Sequence, residues 1–246
     1  MEPHFITLLI VSAIVGCLIG AVGIGGILLI PALIALAGLT PHQASATALL
    51  TFLFTGVLGT ILFQRQGSIE WRQTLTVCAG AVGFSYLGAM VNSAVDGVLL
   101  MRIIAALIVF AGVYVFVPRP ADVDSASKPF RPWLLLLIGA AAGFGSGFSG
   151  AGGPLFSVPL MVLSGFAPLS AIGTSQVLQI FSAAAGTLAN LHYGEIQWAV
   201  AGWITLFELA GVVAGARLAH VVSADVLKRV AGAVCVLVGI YVLVRT

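Results

Sequence analysis

Two long stretches of the sequence contain no Asp, Glu, Lys or Arg, and they constrain the fold more than any other feature. They cover residues 3–64 and 132–194. A helix needs about 20 apolar residues to cross a bilayer, so each stretch has room for more than one crossing. Charged residues make up 7% of the chain, whereas a soluble domain carries about 25%. The natural solvent of this chain is therefore lipid.

The same composition argues against several other classes of protein. The net charge is only +2 and there is no basic tract, so a nucleic-acid partner is not expected. Cys17, Cys78 and Cys235 lie in apolar runs without CxxC spacing. This pattern predicts buried thiols and neither a disulfide nor a metal site. The start of the chain has no basic n-region, so the first helix is expected to stay in the mature protein. No cofactor is expected.

The chain matches itself at an offset of 127 residues, without a gap from residue 40 to residue 117. Such an offset is the mark of an internal repeat. It predicts a duplicated membrane unit, with the first repeat in residues 1–117, a polar linker in 118–132 and the second repeat in 133–246. The matched pairs include Pro41 with Pro168, Thr47 with Thr174, Phe54 with Phe181, Gly59 with Gly186, Trp71 with Trp198, Gly88 with Gly215, and Tyr114 with Tyr241.

Each repeat is predicted to contain five helices, because backbone polar groups in lipid must pair within their own segment. The first repeat has its elements at 5–20, 26–38, 41–63, 72–92 and 98–117, and the second has their equivalents 127 residues later. The second element is short, since its length reaches only about 20 Å into a hydrocarbon core of about 30 Å. The fold class is therefore an all-α polytopic membrane protein. Whether the short elements are re-entrant or tilted stays open.

The distribution of Lys and Arg predicts how the repeats are oriented. With five crossings per repeat, Arg102 and Arg245 fall on one side of the membrane and the other eight basic residues fall on the opposite side. An even number of crossings would divide them six to four. Because basic loops stay in the cytoplasm, we predict inverted repeats with the linker cytoplasmic and both termini outside. The eight residues are Arg65, Arg72, Arg119, Lys128, Arg131, Arg217, Lys228 and Arg229.

A glycine-rich break precedes each short element, with the sequence GAVGIGG at 20–26 and GFSGAGG at 147–153. A helix that begins at such a break presents unpaired N–H groups and the positive end of its dipole, which attract anions. Inverted-repeat transporters place such helix ends near the midplane. We therefore predict an anion site at Gly25, Gly26, Gly152 and Gly153. The alternative is that these glycines only allow close helix packing.

Polar residues of the third elements are the predicted donors to this anion. Hydroxyl and amide groups donate hydrogen bonds without a fixed charge, which suits an anion that must be released again. In the second repeat, positions 175, 179 and 182 share one helical face with 176 beside them. For the hydroxyl groups, hydrogen bonds between helices are the alternative. The predicted donors are Thr47, Thr174, Ser175, Gln176 and Gln179.

Glu208 is the only carboxylate within the apolar run 201–216, and its counterpart in the first repeat is Ala81. A charge at the centre of a membrane helix costs about 3 kcal/mol. Glu208 is therefore expected to be protonated, paired or in contact with water, and we predict that it carries a proton. The alternatives are a neutral carboxyl group bonded to a neighbouring helix, or an ion pair with Arg217 or Arg102.

Two segments with the same spacing of glycines and prolines resemble a known family. Both GIGGILLIPALIALAGLTPHQASATAL and SGAGGPLFSVPLMVLSGFAPLSAIGTSQVL have a glycine break, a proline soon after it, and a second proline before an Ala-x-x-Thr helix. The pattern resembles the sulfite exporter TauE/SafE family of bacterial membrane transporters. The resemblance implies secondary transport, and more specifically export, of sulfite, sulfoacetate or another sulfonate across the inner membrane. The anion, the direction, the coupling ion and self-association into a homo-oligomer stay open.

The sequence offers two alternatives to coupled anion transport. Gly147, Ser149 and Gly150 form a G-x-S-G string, and His192 and His220 follow it, as an intramembrane serine protease would require. The repeat argues against this function, because the counterpart of Ser149 is valine. A passive anion channel is the third candidate, and dependence of uptake on a pH gradient would separate it from a coupled transporter.

Overall fold

The described part of the protein is a bundle of helices. The computed structural model describes residues 3–23, 25–116, 131–218 and 224–245, and these residues contain no β-strand. The all-helical prediction is confirmed, and the helices fall at the predicted positions. They are α1 (Pro3–Val22), α2 (Leu29–Ala37), α3 (Pro41–Arg65), α4 (Trp71–Ala94), α5 (Gly97–Phe116), α6 (Pro132–Ser149), α7 (Pro154–Leu163), α8 (Pro168–Tyr193), α9 (Trp198–Leu218) and α10 (Ala224–Arg245). Most of the predicted linker, 118–130, lies outside the described residues.

Several helices have the length and the surface of membrane spans. Within the described residues, six of them, namely α1, α3, α4, α5, α6 and α9, are long and apolar enough to cross a bilayer. Large apolar side chains such as Ile10, Leu137 and Leu206 are exposed on the outside of the bundle. Such a surface is stable only in contact with lipid. The chain is therefore a multi-pass membrane protein.

The second helix of each half is short, as predicted. Helix α2 has 9 residues and α7 has 10 residues. A 3₁₀ turn at Gly26–Leu28 leads into α2, so Pro31 lies in the first turns, where its missing N–H has little consequence. Pro154 is the first residue of α7, which is a favoured position for proline. Pro and Gly thus define where these two helices begin.

Glycines let equivalent pairs of helices approach closely. A Cβ atom at Gly16 of α1 would overlap the backbone carbonyl of Glu208 in α9, and a Cβ at Gly143 of α6 would overlap that of Ala81 in α4. The second pair lies at the 127-residue offset from the first. These glycines therefore allow close packing of α1 against α9 and of α6 against α4. The same relation holds for Gly20 with Val212 and for Gly147 with Ser85.

The third helices of the two halves, α3 and α8, cross in opposite directions. Gly59 of α3 lies against Gln176 of α8, and Leu49 of α3 lies against Gly186 of α8. Residue numbers therefore rise along one helix as they fall along the other. Antiparallel packing of equivalent helices is what inverted repeats require, and it supports that prediction. The orientation of the two halves in a membrane stays a prediction.

Candidate functional site

The two glycine breaks border one small cavity in the interior of the bundle. The space open to the centre of a water molecule is about 10 Å³, which is room for about one water molecule. Residues from both halves of the chain form its wall, so the breaks that the sequence places far apart meet here. The lining residues are Ile19, Gly23, Gly25, Gly26, Ile27, Phe52, Ala151, Pro154, Leu155 and Gln179.

The cavity lies at mid-depth of the two longest helices. Phe52 is near the midpoint of α3, which has 25 residues, and Gln179 is near the midpoint of α8, which has 26 residues. For helices of this length, the midpoint corresponds to the middle of the hydrocarbon core. The predicted anion site near the midplane of an inverted-repeat transporter requires such a position halfway along both helices, and its depth in a membrane stays a prediction.

The backbone of the breaks has a conformation that favours glycine. Gly25 has φ 148° and Gly152 has φ 81°, and side chains other than hydrogen strain this region. No described residue accepts a hydrogen bond from the N–H groups of Gly26, Gly152 or Gly153. The first N–H groups of a helix have no partner within it. Together with the helix dipole, these groups make the breaks able to hold an anion.

Gln176 is a fully buried side chain without a hydrogen bond. Neither its amide nitrogen nor its amide oxygen has a partner among the described residues. The amide lies between Gly59 of α3 and the first break, where a Cβ atom at Gly23 would be 3.7 Å from Nε2. A buried amide that is left unpaired reduces stability. The placement therefore favours a polar ligand or a water molecule beside the first break.

Gln179 is paired with α3. Its Nε2 group donates hydrogen bonds of 3.0 Å to the backbone carbonyl of Phe52 and of 3.0 Å to the hydroxyl of Thr55. Its Oε1 atom would be 3.5 Å from a Cβ atom at Gly152. The amide thus reaches the second break, but both of its N–H groups are used by α3. It can donate to a ligand only after one of these bonds opens.

The ring of Phe52 packs against both glycine breaks. The sequence did not predict Phe52 as a site residue. Its buried ring would be 2.8 Å from a Cβ atom at Gly26 and 3.3 Å from a Cβ atom at Gly152. One phenylalanine in an apolar helix carries no signal by itself. The only signal in the sequence is its position, 127 residues before Gln179.

Comparisons with known proteins identify the family. The family model described as Sulfite exporter TauE/SafE matches residues 8–242. The chain belongs to the TauE/SafE family. Relatives described as probable membrane transporter proteins include ORF9 of Sinorhizobium sp, 28% identical over 92% of this chain and 87% of its own length. YfcA of Escherichia coli K12 is 29% identical, with coverages of 86% and 79%. No solved structure matches the chain.

A relative from a third bacterium has the same description. YdhB of Bacillus subtilis is also a probable membrane transporter protein, and it is 25% identical over 90% of this chain and 93% of its own length. The TauE/SafE match and these relatives indicate a membrane transporter. The resemblance inferred from the two glycine and proline segments is therefore confirmed at the level of the family.

Glu208 of this TauE/SafE protein is fully buried at the interface of α1, α3 and α9. Neither carboxyl oxygen has a hydrogen-bond partner among the described residues, so the alternative of an ion pair with Arg217 or Arg102 does not hold. Thr51 of α3 lies beside the carboxyl group, and its own hydroxyl donates to the carbonyl of Ala48 at 2.9 Å. Thr51 directly precedes Phe52, so Glu208 packs against the same helix that supplies Phe52 to the cavity wall.

The predicted hydroxyl donors lie outside the cavity wall of the TauE/SafE protein. Thr47 accepts a hydrogen bond of 3.1 Å from the backbone of Gln197. Thr174 is paired with Thr74 at 3.0 Å. Ser175 accepts a bond of 2.7 Å from Ser157 of α7. These contacts fit the alternative of hydrogen bonds between segments, and a role in binding an anion stays a prediction for these three residues.

The serine of the G-x-S-G string has a structural role in this TauE/SafE protein. The Ser149 hydroxyl donates to the carbonyl of Gly145 at 2.6 Å and accepts from the N–H of Ala151 at 3.2 Å. It therefore caps the end of α6. His192 is exposed at the end of α8, and His220 lies outside the described residues. In the described part of the chain, no cluster of His, Cys, Asp or Glu is suited to a metal ion.

Proposed function

We propose that the protein is a secondary transporter that exports a small sulfur-containing anion, such as sulfite, sulfoacetate or another sulfonate, across the bacterial inner membrane. The observation that carries the proposal is the meeting of both glycine breaks at one mid-depth cavity. Family membership supports the transport class. The linker is cytoplasmic and both termini are outside in this proposal, as the positive-inside rule favours.

The chemistry of the cavity suits an anion that is bound and then released. In this proposal the backbone N–H groups of Gly26, Gly152 and Gly153 supply donors, and the unpaired amide of Gln176 beside the first break supplies another. The Gln179 amide donates only after one of its bonds to α3 opens. Among the described residues, no Lys or Arg lines the cavity. Neutral donors and helix dipoles attract an anion less strongly than a fixed positive charge in a low dielectric would. Binding and release at the same site are therefore both accessible.

The two halves supply the means to alternate access. In inverted-repeat transporters, one repeat moves against the other around a central site. Here α3 and α8 are antiparallel and meet at the cavity, so each half contributes one break and one long helix. The cavity has room for about one water molecule in this structure, so the halves must move apart before an anion can bind.

Glu208 couples the transport cycle to protons in this proposal. Its carboxyl group is buried and has no hydrogen-bond partner among the described residues, and it lies beside Thr51 of α3, the helix that also carries Phe52. Buried carboxyl groups of this kind are common proton carriers in membrane transporters. A bound anion and the charge state of Glu208 would then influence each other electrostatically through the low-dielectric interior.

The test is thermal unfolding of the purified full-length protein with a panel of anions. A ligand that binds only the folded state raises the unfolding temperature. We expect stabilisation by sulfite, sulfoacetate or taurine, and less by sulfate or a carboxylate analogue. The Gln176→Met variant should lose this response, whereas the Gln64→Met variant, changed at an exposed position of α3, should keep it. If no sulfur anion stabilises the protein, the proposed substrate class is wrong.

A further inference from the structure

We infer that the Phe52 ring is a plug that fills the anion site and must leave it before an anion can bind. The inference rests on the proposed function and adds a gating residue to it. Phe52 lies at the cavity wall and is 1% exposed. Its ring touches the positions of both Gly26 and Gly152, the two corners at which the unpaired N–H groups lie.

The size of the remaining space requires such a movement. About one water molecule fits into the cavity, and a sulfur atom with three oxygen atoms is larger than one water molecule. The ring lies between the two breaks, so it occupies the place at which an anion would contact both. An anion and the ring therefore exclude each other at this site.

The contacts of the ring are with groups that can separate from it. Both corners are glycines, so no side chain of theirs interlocks with the ring. The residues on either side of the first break also border a lateral groove of about 770 Å³, which includes Leu28, Pro31 and Ala32. The outer side of α2 therefore faces a groove at the bundle surface, which lipid fills, and lipid yields to movement of this short helix more readily than a close-packed protein core would. The ring can then change its χ1 rotamer.

Only the first half of the chain supplies a plug, because the position equivalent to Phe52 in the second half is Gln179. Gln179 holds the backbone of Phe52 by its hydrogen bond of 3.0 Å. The first half thus supplies the group that blocks the site, and the second half supplies the amide that holds it. Departure of the ring and release of the Gln179 amide would both leave donors free for an anion.

The experiment measures access to the cavity by cysteine labelling, which does not depend on the identity of the substrate. Ala151 lines the cavity, and the Ala151→Cys variant places a thiol there. The probe is the anionic reagent sulfonatoethyl methanethiosulfonate, applied to the full-length protein in membranes. Native Cys78, which is buried in another part of the core, reports any general loosening of the fold.

With Phe52 intact, we expect the Ala151→Cys thiol to react slowly. Adding Phe52→Ala should accelerate its labelling on the order of tenfold or more, because truncation of a packed ring opens a cavity, while Cys78 stays unreactive. Phe54→Ala is the matched control, since Phe54 is on the same helix but faces outward, and it should leave the rate unchanged. If Phe52→Ala exposes Cys78, the milder Phe52→Leu replaces it, and a smaller acceleration is expected.

Equal labelling rates of the Ala151→Cys thiol with and without the Phe52 ring would contradict the proposal that the ring is a plug. So would an equal acceleration by Phe54→Ala. The proposed function is tested separately by protection, since bound sulfoacetate, which does not react with the methanethiosulfonate probe, should slow labelling of the Ala151→Cys thiol in the Phe52→Ala background. Faster labelling without protection by any sulfur anion would support the plug and contradict the proposed substrate class.

Discussion

Gln179 donates a hydrogen bond of 3.0 Å to the backbone carbonyl of Phe52, and the two residues are separated by the repeat offset of 127. When residues at equivalent positions of two related units contact each other, they lie where the axis relating the units passes. The site thus lies between the halves of the chain. A single ligand on such an axis meets a phenylalanine from one half and a glutamine from the other.

The Gln179→Met variant is expected to be less stable and to lose its response to anions. Methionine has a similar length but cannot donate, so the carbonyl of Phe52 and the hydroxyl of Thr55 lose a partner. Loss of buried hydrogen bonds of this kind reduces the free energy of unfolding by about 1–3 kcal/mol. Thermal unfolding with and without sulfite measures both effects. Unchanged stability would show that these bonds do not hold α3 against α8.

The Gln176→Met variant is expected to be more stable than the wild type and to bind anions less well. The Gln176 amide is buried without a partner among the described residues, so a methionine removes an unpaired polar group and gains stability of about 1 kcal/mol. The unfolding temperature without ligand checks the first effect, and the shift caused by sulfite checks the second. A destabilised variant would mean that Gln176 is paired in the free protein.

The Glu208→Gln variant is expected to keep anion binding and lose its dependence on a pH gradient. Glutamine preserves the shape of the buried side chain but cannot exchange a proton. Anion flux in proteoliposomes with and without a pH gradient is the measurement. Glu195→Gln is the matched control, because Glu195 is an exposed acid that accepts a bond of 2.7 Å from Gln43. A gradient response that survives in Glu208→Gln would remove this residue from coupling.

The Gly143→Ala variant is expected to be strongly destabilised, and Gly83→Ala is not. A Cβ at Gly143 would overlap the carbonyl of Ala81 in α4, whereas a Cβ at Gly83 would have no atom within 4 Å. Overpacking between helices costs about 1–3 kcal/mol. At an exposed helix position, alanine gains about 1 kcal/mol over glycine. Thermal unfolding of both variants in the same detergent separates packing from helix propensity.

The Gly26→Ala variant is expected to be less stable than the wild type, and adding Phe52→Leu is expected to restore part of the lost stability. The added methyl group would lie 2.8 Å from the Cζ atom of the Phe52 ring. Because residues in contact have non-additive effects, the double variant should be less impaired than the sum of the two single variants. Unfolding temperatures of the four proteins give this coupling. Additive effects would show that the ring and Gly26 do not touch.

The sequence by itself determined where the helices lie and where glycine and proline interrupt them, because these features depend on local properties. Uninterrupted apolar length, the glycine breaks and the prolines act within a few residues, so the ten elements and the two short helices could be placed without coordinates. The duplication also made the two breaks equivalent, and it singled out Gln179 as a polar residue whose counterpart is Phe52.

Only the tertiary structure decided which of these residues meet. Thr47 and Thr174 are equivalent in sequence, but α3 and α8 are antiparallel, so each threonine lies near one end of the bundle with its own partner. Phe52 reaches both breaks because of the rotation of α3 about its axis and its crossing with α8. Those quantities are set by side-chain packing between distant segments, and no local pattern in the sequence encodes them.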